Sequence, residues 1–103
     1  MAQLNIFWTE TAIRQRNFIF EYWIERNQSN TYAKKLNGKI KERTNLLKQH
    51  PDLGKKTDFK NTRVISLGHY SIFYQKIDSQ IIITGFWDNR QEPEKLLKFL
   101  KKD

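Results

Sequence analysis

The sequence contains no cysteine and only two histidines, His50 and His69, among its 103 residues. Disulfide bonds and thiolate metal sites are therefore excluded, as is any metal site built from several histidines. There is no glycine-rich phosphate-binding loop, and no apolar run approaches the roughly 20 residues that span a bilayer. No signal peptide is visible at the N-terminus. These absences predict a cytoplasmic protein that contacts no membrane and uses no cofactor or metal.

Positive charge is the strongest feature that is present. Nineteen Lys and Arg residues against eleven Asp and Glu residues give a net charge of +8. Such a surface attracts polyanions, which indicates nucleic acid, the ribosome or an acidic protein as a partner, although the charge also serves solubility. The length suffices for one small domain, so we predict a single domain over residues 1–103.

The first half of the chain predicts one strand and two helices. Residues 3–8 alternate as a short strand does, and Thr9 stands at a natural N-cap position for a helix over residues 10–26. Four polar residues then separate it from a second amphipathic helix over residues 31–49, with Asn30 as the cap. The apolar face of this second helix consists of Ala33, Leu36, Ile40 and Leu47.

The second half predicts three strands and a short helix. The strands cover residues 62–67, 70–77 and 80–87, which are rich in β-branched and aromatic side chains. Two-residue turns, Gly68-His69 and Asp78-Ser79, separate them as in tight hairpins. A last helix is expected from Pro93 to about Lys101.

This order of elements predicts an α+β fold, β-α-α-β-β-β-α. The two long helices are expected to form an antiparallel hairpin on one face of a mostly antiparallel four-stranded sheet, with a short C-terminal helix. Phe86 and Trp87, at the end of the last strand, are expected to close the sheet against the helices and the short C-terminal helix.

The candidate site residues are cationic and aromatic groups in the second half of the chain. A metal-free ribonuclease needs an acid, a base and cations for the phosphate charge. On that reading the catalytic residues are Arg63, His69 and Arg90. The residues that we expect to contact a target are Lys55, Lys56, Lys60, Tyr70 and Arg90. Each has a plainer reading as well: a solvated turn histidine, a solvated lysine loop, a core tyrosine, and an ion pair of Arg90 with Asp88.

Four segments in this order resemble the RelE/ParE superfamily of bacterial type II toxins. They read FWTETAIRQ, HPDLGKK, TRVISLGHYSIFYQ and FWDNRQEPEKL, and together they cover nearly the whole chain. The resemblance implies a small basic toxin that a cognate antitoxin protein holds inactive in a hetero-oligomer. RelE-like members cut messenger RNA on the ribosome, whereas ParE-like members inhibit DNA gyrase.

One departure from the nuclease pattern favours the ParE-like branch. RelE-like nucleases carry an arginine directly after the Gly-Tyr of the central hairpin, where this chain has Ser71 after Tyr70. Loss of that arginine removes about 3 kcal/mol of transition-state stabilisation. We therefore expect a growth-inhibiting toxin that binds gyrase. A ribosome-dependent, metal-independent endoribonuclease, or a degenerate toxin that only binds its antitoxin, are the alternatives.

The antitoxin is expected to bind the groove between the two long helices together with an exposed sheet edge. Phe18 and Tyr22 carry this expectation, because helix packing cannot bury every apolar residue of the first helix.

Overall fold

The structure is a computed structural model, and it describes residues 4–90. This range contains two helices and five strands, and it contains no helix long and apolar enough to cross a membrane. In chain order the elements are β1 Asn5–Trp8, α1 Glu10–Asn27, α2 Thr31–Gln49, β2 Lys55–Lys56, β3 Arg63–Leu67, β4 Tyr70–Ile77 and β5 Gln80–Asp88. The α+β class is confirmed, and the expected helix from Pro93 lies outside the described residues.

Both helices begin where the sequence predicts, but only the first uses the expected cap. The hydroxyl of Thr9 accepts a hydrogen bond from the backbone N–H of Ala12 at 3.1 Å. Asn30 makes no capping hydrogen bond through its side chain, and the Ser29 hydroxyl instead accepts from the N–H of Thr31 at 3.2 Å. The hydroxyl of the residue before Asn30 therefore pairs with one of the backbone N–H groups that have no partner within α2.

The sheet has five strands rather than the expected four, in the order β1-β5-β4-β3-β2. The additional strand, β2, consists of two lysines that pair antiparallel with the start of β3. At the other edge β1 pairs parallel with β5, while every other pair is antiparallel. Lysine has little β-propensity, so the open edge of β3 and not local sequence makes β2 a strand.

A β-bulge in β5 corrects the expectation for Phe86 and Trp87. Opposite Phe73 and Tyr74 the register skips one residue of β5, Thr84. The extra residue reverses the alternation of side chains, so Phe86 faces the helices and is fully buried. Trp87 pairs with Ser71 on the opposite face and is only partly buried. Phe86 therefore closes the sheet against α1 and α2, whereas the C-terminal helix that was also expected to pack at this end lies outside the described residues.

One core joins both helices to one face of the sheet, as predicted. The helices contribute Ala12, Ile19, Leu36, Ile40 and Leu47. The strands contribute Ile65, Leu67, Tyr70, Ile72, Tyr74, Ile81, Ile83 and Phe86.

Tyr74 fastens the loop after α2 to this core. Its hydroxyl donates to the carbonyl oxygen of Pro51 and accepts from the N–H of Gly54, both at 2.8 Å. Burial of the ring raises the pKa of Tyr74 above its ordinary value, so the hydroxyl keeps the proton that it donates to Pro51.

Candidate functional site

Arg90 and Asp88 form a bidentate ion pair where β5 ends. The Nε and Nη2 atoms of Arg90 donate to the two carboxylate oxygens of Asp88 at 2.9 and 2.8 Å. The backbone N–H of Arg90 also donates to this carboxylate, at 2.9 Å. A guanidinium held at two points has a fixed direction, and nearly half of the Arg90 side chain stays exposed. The expected pair therefore exists, and it leaves Arg90 able to contact a partner.

An aromatic cluster lies beneath Arg90. Its guanidinium carbon is 5.6 Å from the ring centre of Trp23 and 5.9 Å from that of Tyr70. The Nε1 of Trp23 donates to the Tyr70 hydroxyl at 3.1 Å, and the Tyr32 hydroxyl lies 3.3 Å from that same oxygen. Residues from α1, α2, β4 and the end of β5 thus meet at one point, and the rings favour a cation above them.

Tyr70 supports this site from below and offers almost no surface to a target. Only 2% of the residue is exposed, and its ring stacks on Phe86 with centres 5.2 Å apart. Burial, followed by the neighbouring Tyr32 hydroxyl, raises the pKa of Tyr70 to about 12. Tyr70 is therefore neutral at physiological pH, and a direct contact with a target, as the sequence suggested, would require the cluster to open.

The Arg90–Asp88 pair predicts an acid-dependent loss of stability. Hydrogen bonding from Arg90 lowers the pKa of Asp88 below its ordinary value of 3.8. The pair therefore stabilises the fold above that value, and the contribution is lost as the pH falls through the lowered pKa. Because Arg90 is half exposed, we expect a contribution below about 1 kcal/mol. When the pH is lowered from about 5 to about 2, the free energy of unfolding measured with urea should fall more for wild type than for Asp88→Asn. Equal losses in the two proteins would contradict this role.

His69 lies at the same end of the sheet, in the turn between β3 and β4. Its carbonyl oxygen accepts from the N–H of Asn89 at 2.8 Å, which ties the turn to the residue before Arg90. The residue is exposed, and its charge contributes to the lowered pKa of Asp88. Two of the three predicted catalytic residues, His69 and Arg90, are therefore neighbours.

Arg63 lies at the far end of the same strands. Its Nη1 donates to the carbonyl oxygens of Gly54 at 2.8 Å and Asp52 at 3.3 Å, and its Nη2 lies 3.5 Å from the Asp52 carboxylate. Leu67, the last residue of β3 before the turn, lies four positions further along the strand, which is a distance of about 13 Å. Arg63 thus holds the loop before β2 and does not join His69 and Arg90.

The predicted lysines accompany Arg63. Lys55 and Lys56 form β2, Lys60 lies in the loop that leads to β3, and all three are exposed. The predicted target-binding set is therefore divided between two ends of the sheet, with the lysines at one end and Tyr70 and Arg90 at the other.

Ser71, at which the sequence departs from the expected nuclease pattern, has a structural role. Its hydroxyl donates to Oδ1 of Asn89 at 2.8 Å, and only 9% of the residue is exposed. This bond joins β4 to the segment before Arg90.

Phe18 and Tyr22 are exposed on α1 but do not lie in the groove between the helices. They are 64% and 46% exposed. Cavities of about 320 and 470 Å³ flank Phe18, and their other walls come from α1 and the end of β5, including Asp88 and Arg90. The exposed apolar residues of α1 thus face the end of β5.

The end of β5 adjoins this apolar surface. β1 pairs with Gln80–Ile83, the first four residues of β5. Beyond this paired stretch, the N–H of Phe86 donates to the side-chain oxygen of Gln15 at 2.9 Å. The structure therefore places Phe18 and Tyr22 beside the end of β5.

Sequence reasoning missed Trp23 and Tyr32 as parts of the site. Trp23 carries no local signal for this role, because the Tyr70 hydroxyl to which it donates lies 47 positions away in the sequence. Tyr32 offered a usable signal, since it is an aromatic residue outside the apolar face of α2. Such a residue is exposed unless another element covers it.

Comparisons with known proteins agree with this architecture. Residues 6–93 match the family model described as the ParE toxin of the type II toxin–antitoxin system, parDE. Among solved structures, a chain of the chromosomal ParDE TA system from P. aeruginosa superposes with a TM-score of 0.70 at 18% sequence identity. The superposition covers 82% of this chain and 94% of that chain, and it shows a shared fold. No match was found among curated proteins.

Proposed function

Because the chain belongs to the family of ParE toxins of type II toxin–antitoxin systems, we propose that it arrests bacterial growth by binding DNA gyrase and that a cognate antitoxin protein neutralises it. The toxin acts in the cytoplasm as a binding protein, and no bond of the target is cleaved.

The separation of the candidate catalytic groups supports inhibition by binding. A metal-free ribonuclease needs its acid, base and phosphate-binding cations around one scissile phosphate. Arg63 donates to the carbonyl oxygens of Gly54 and Asp52, about 13 Å along β3 from the end that carries His69 and Arg90. Ser71 cannot replace the missing charge, because its side chain is neutral and bonded to Asn89. The catalytic set that the sequence predicted, Arg63 with His69 and Arg90, is therefore not assembled around one point.

Arg90 is the residue best placed to contact the target. Arginine is enriched among the residues that dominate protein interfaces, and a guanidinium fixed by Asp88 loses little conformational entropy on binding. Its guanidinium lies over the rings of Trp23 and Tyr70, and nearly half of the side chain is exposed.

A supercoiling assay tests the proposal. We expect the purified protein at micromolar concentration to stop gyrase from supercoiling relaxed plasmid DNA. Arg90→Gln should weaken inhibition by about tenfold or more, since it removes an anchor of the interface. Lys34→Gln is the matched control, because it removes the same charge from an exposed site on α2 and should leave inhibition unchanged.

Unaffected supercoiling would refute the gyrase proposal. Pulse labelling in bacteria then separates the alternatives, because a ribosome-dependent nuclease stops methionine incorporation within minutes while thymidine incorporation continues. A toxin that acts on gyrase stops thymidine incorporation first. A chain that only binds its antitoxin leaves both methionine and thymidine incorporation unchanged.

The antitoxin site that we propose is the surface formed by Phe18, Tyr22 and the end of β5, called here the α1–β5 surface. Its exposed aromatic rings and the two cavities beside them fit apolar side chains of a partner. Arg14, Arg26 and Arg90 line its two cavities, so acidic residues in the antitoxin segment complement it.

A further inference from the structure

A second concave surface, of different character, lies between α2 and the turn that joins β3 to β4. It is a cleft of about 700 Å³ with α2 on one side and Gly68 and His69 on the other. We propose that this cleft binds the phosphodiester backbone of single-stranded nucleic acid. The inference concerns neither gyrase nor the antitoxin, and it holds whether or not those assignments are correct.

Three cations on α2 line the cleft in a row. Lys35, Lys39 and Arg43 recur every four residues, so they lie on one side of the helix with a rise of about 6 Å between them. In an extended, unstacked strand the rise per nucleotide is about twice the 3.4 Å of B-DNA. Consecutive phosphates are then about as far apart as these side chains. The row therefore fits consecutive phosphates of one extended strand.

These cations are available to a ligand. Within the described part of the chain, none of Lys35, Lys39 and Arg43 lies within 4.0 Å of a carboxylate oxygen, so no ion pair neutralises them. Glu42 is the one acidic residue among the lining groups of residues 4–90, and His69 adds a further donor on the opposite wall. The lining thus carries a net positive charge.

The floor of the cleft argues against an amphipathic peptide as the ligand. Leu36 and Leu67 are already buried, with 4% and 6% exposed, and so have little surface left to cover. Leu46 at 38% is the remaining aliphatic residue of the lining. A docked helix gains affinity from several apolar anchors, which this floor does not offer. The α1–β5 surface, with Phe18 and Tyr22, does offer them.

An exposed aromatic ring completes the features expected of a single-strand site. Tyr32, 37% exposed, lines the cleft one turn before Lys35. Proteins that bind single strands combine a cationic groove with aromatic rings on which bases stack, and such stacking tolerates any base. The cleft is thus suited to a backbone without sequence preference.

Fluorescence anisotropy with the purified full chain tests this proposal. The probes are labelled oligo-dT and oligo-U of about 16 nucleotides, at several salt concentrations. The test variant is the double substitution Lys35→Gln and Lys39→Gln. The control is Lys34→Gln with Lys41→Gln, which removes the same charge from exposed sites on the same helix that do not line the cleft.

We expect the test variant to bind about tenfold or more weakly at about 0.1 M salt, with a salt dependence lower by about 1.4 in log–log slope, which corresponds to two lost phosphate contacts. The control should change affinity by less than about threefold, because it alters only the overall electrostatic field of the protein. Equal affinity for the two oligonucleotides assigns the backbone as the ligand, and preference for one identifies the natural strand. Equal weakening by both variants would overturn the proposal. So would a wild-type chain that binds polyglutamate but neither oligonucleotide.

Discussion

Replacing Gly54 with alanine is expected to lower the free energy of unfolding by about 3 kcal/mol. A Cβ atom at this position would lie 2.7 Å from the Cε1 and hydroxyl oxygen of Tyr74 and 2.8 Å from the carbonyl oxygen of Val64. Both separations are far shorter than a van der Waals contact, so the surroundings must move. The substitution therefore disturbs the loop and the sheet together.

Neither neighbour can move at low cost. The Tyr74 ring is fully buried, and its hydroxyl is held by Pro51 and by Gly54 itself. The Val64 carbonyl belongs to β3, which is paired on both sides. Moving Gly54 away instead breaks its bond to Tyr74 and the bond from Arg63 to its carbonyl oxygen. Each broken bond leaves a polar group unsatisfied, at about 1–3 kcal/mol when buried.

Gly38→Ala is the matched control for this experiment. Gly38 lies inside α2, and a Cβ there would meet no atom within 4 Å. Alanine exceeds glycine in helix propensity by about 1 kcal/mol, so this substitution should stabilise the protein. Urea unfolding measures both changes, and the midpoint should fall for Gly54→Ala and rise for Gly38→Ala at similar m-values. A Gly54→Ala protein as stable as wild type would show that the loop is not held by the core.

Phe18→Ala is expected to weaken binding of the cognate antitoxin by at least about 2 kcal/mol, or roughly thirtyfold. Phe18 is the most exposed of the large apolar residues among those described, and it lies between the two cavities of the α1–β5 surface. An aromatic ring that fills such a position becomes buried on binding, and its truncation removes that contribution. Since the ring is exposed in the free toxin, the fold itself should be unaffected.

Ile77→Ala provides the comparison for the antitoxin experiment. Ile77 is also largely exposed, but it lies at the end of β4 and lines neither of the two cavities. The antitoxin can be recovered as the genomic fragment that restores growth to cells expressing the toxin, and its affinity measured by calorimetry. Unchanged binding by Phe18→Ala, or equal weakening by Ile77→Ala, would place the antitoxin elsewhere.

Local patterns in the sequence predicted the helices and hairpins because those elements depend on nearby residues. Both helices fall within one residue of their expected bounds, and the two tight turns are where the spacing places them. Gly68 and Asp78 adopt positive φ values of 60° and 54° at the first position of these turns, as short hairpins require. The parallel pairing of β1, the strand β2 and the bulge at Thr84 have no local signature, since each depends on a partner strand.

The candidate site was harder to predict because its residues act through distant partners. Arg90 and Asp88 are two positions apart, so their pairing could be anticipated. Arg63 resembles a ligand-binding cation in the sequence, but the carbonyls that hold it belong to a loop nine and eleven positions earlier. The cations of α2 lie outside its apolar face in the sequence, and only the turn at Gly68 and His69 makes their row one wall of a cleft.

The parallel pairing of β1 with β5 determines when, during its synthesis, the toxin can first fold. The strands are separated by residues 9–79, and a ribosome adding about 5–20 residues per second needs roughly 4 to 14 s to make that stretch. Throughout this interval β1 lacks its only strand neighbour among the described residues, and α1 lacks the part of the sheet on which it packs. The α1–β5 surface cannot form until β5 has emerged. The nascent chain therefore lacks the surface at which we propose that the antitoxin binds for several seconds after α1 has been synthesised.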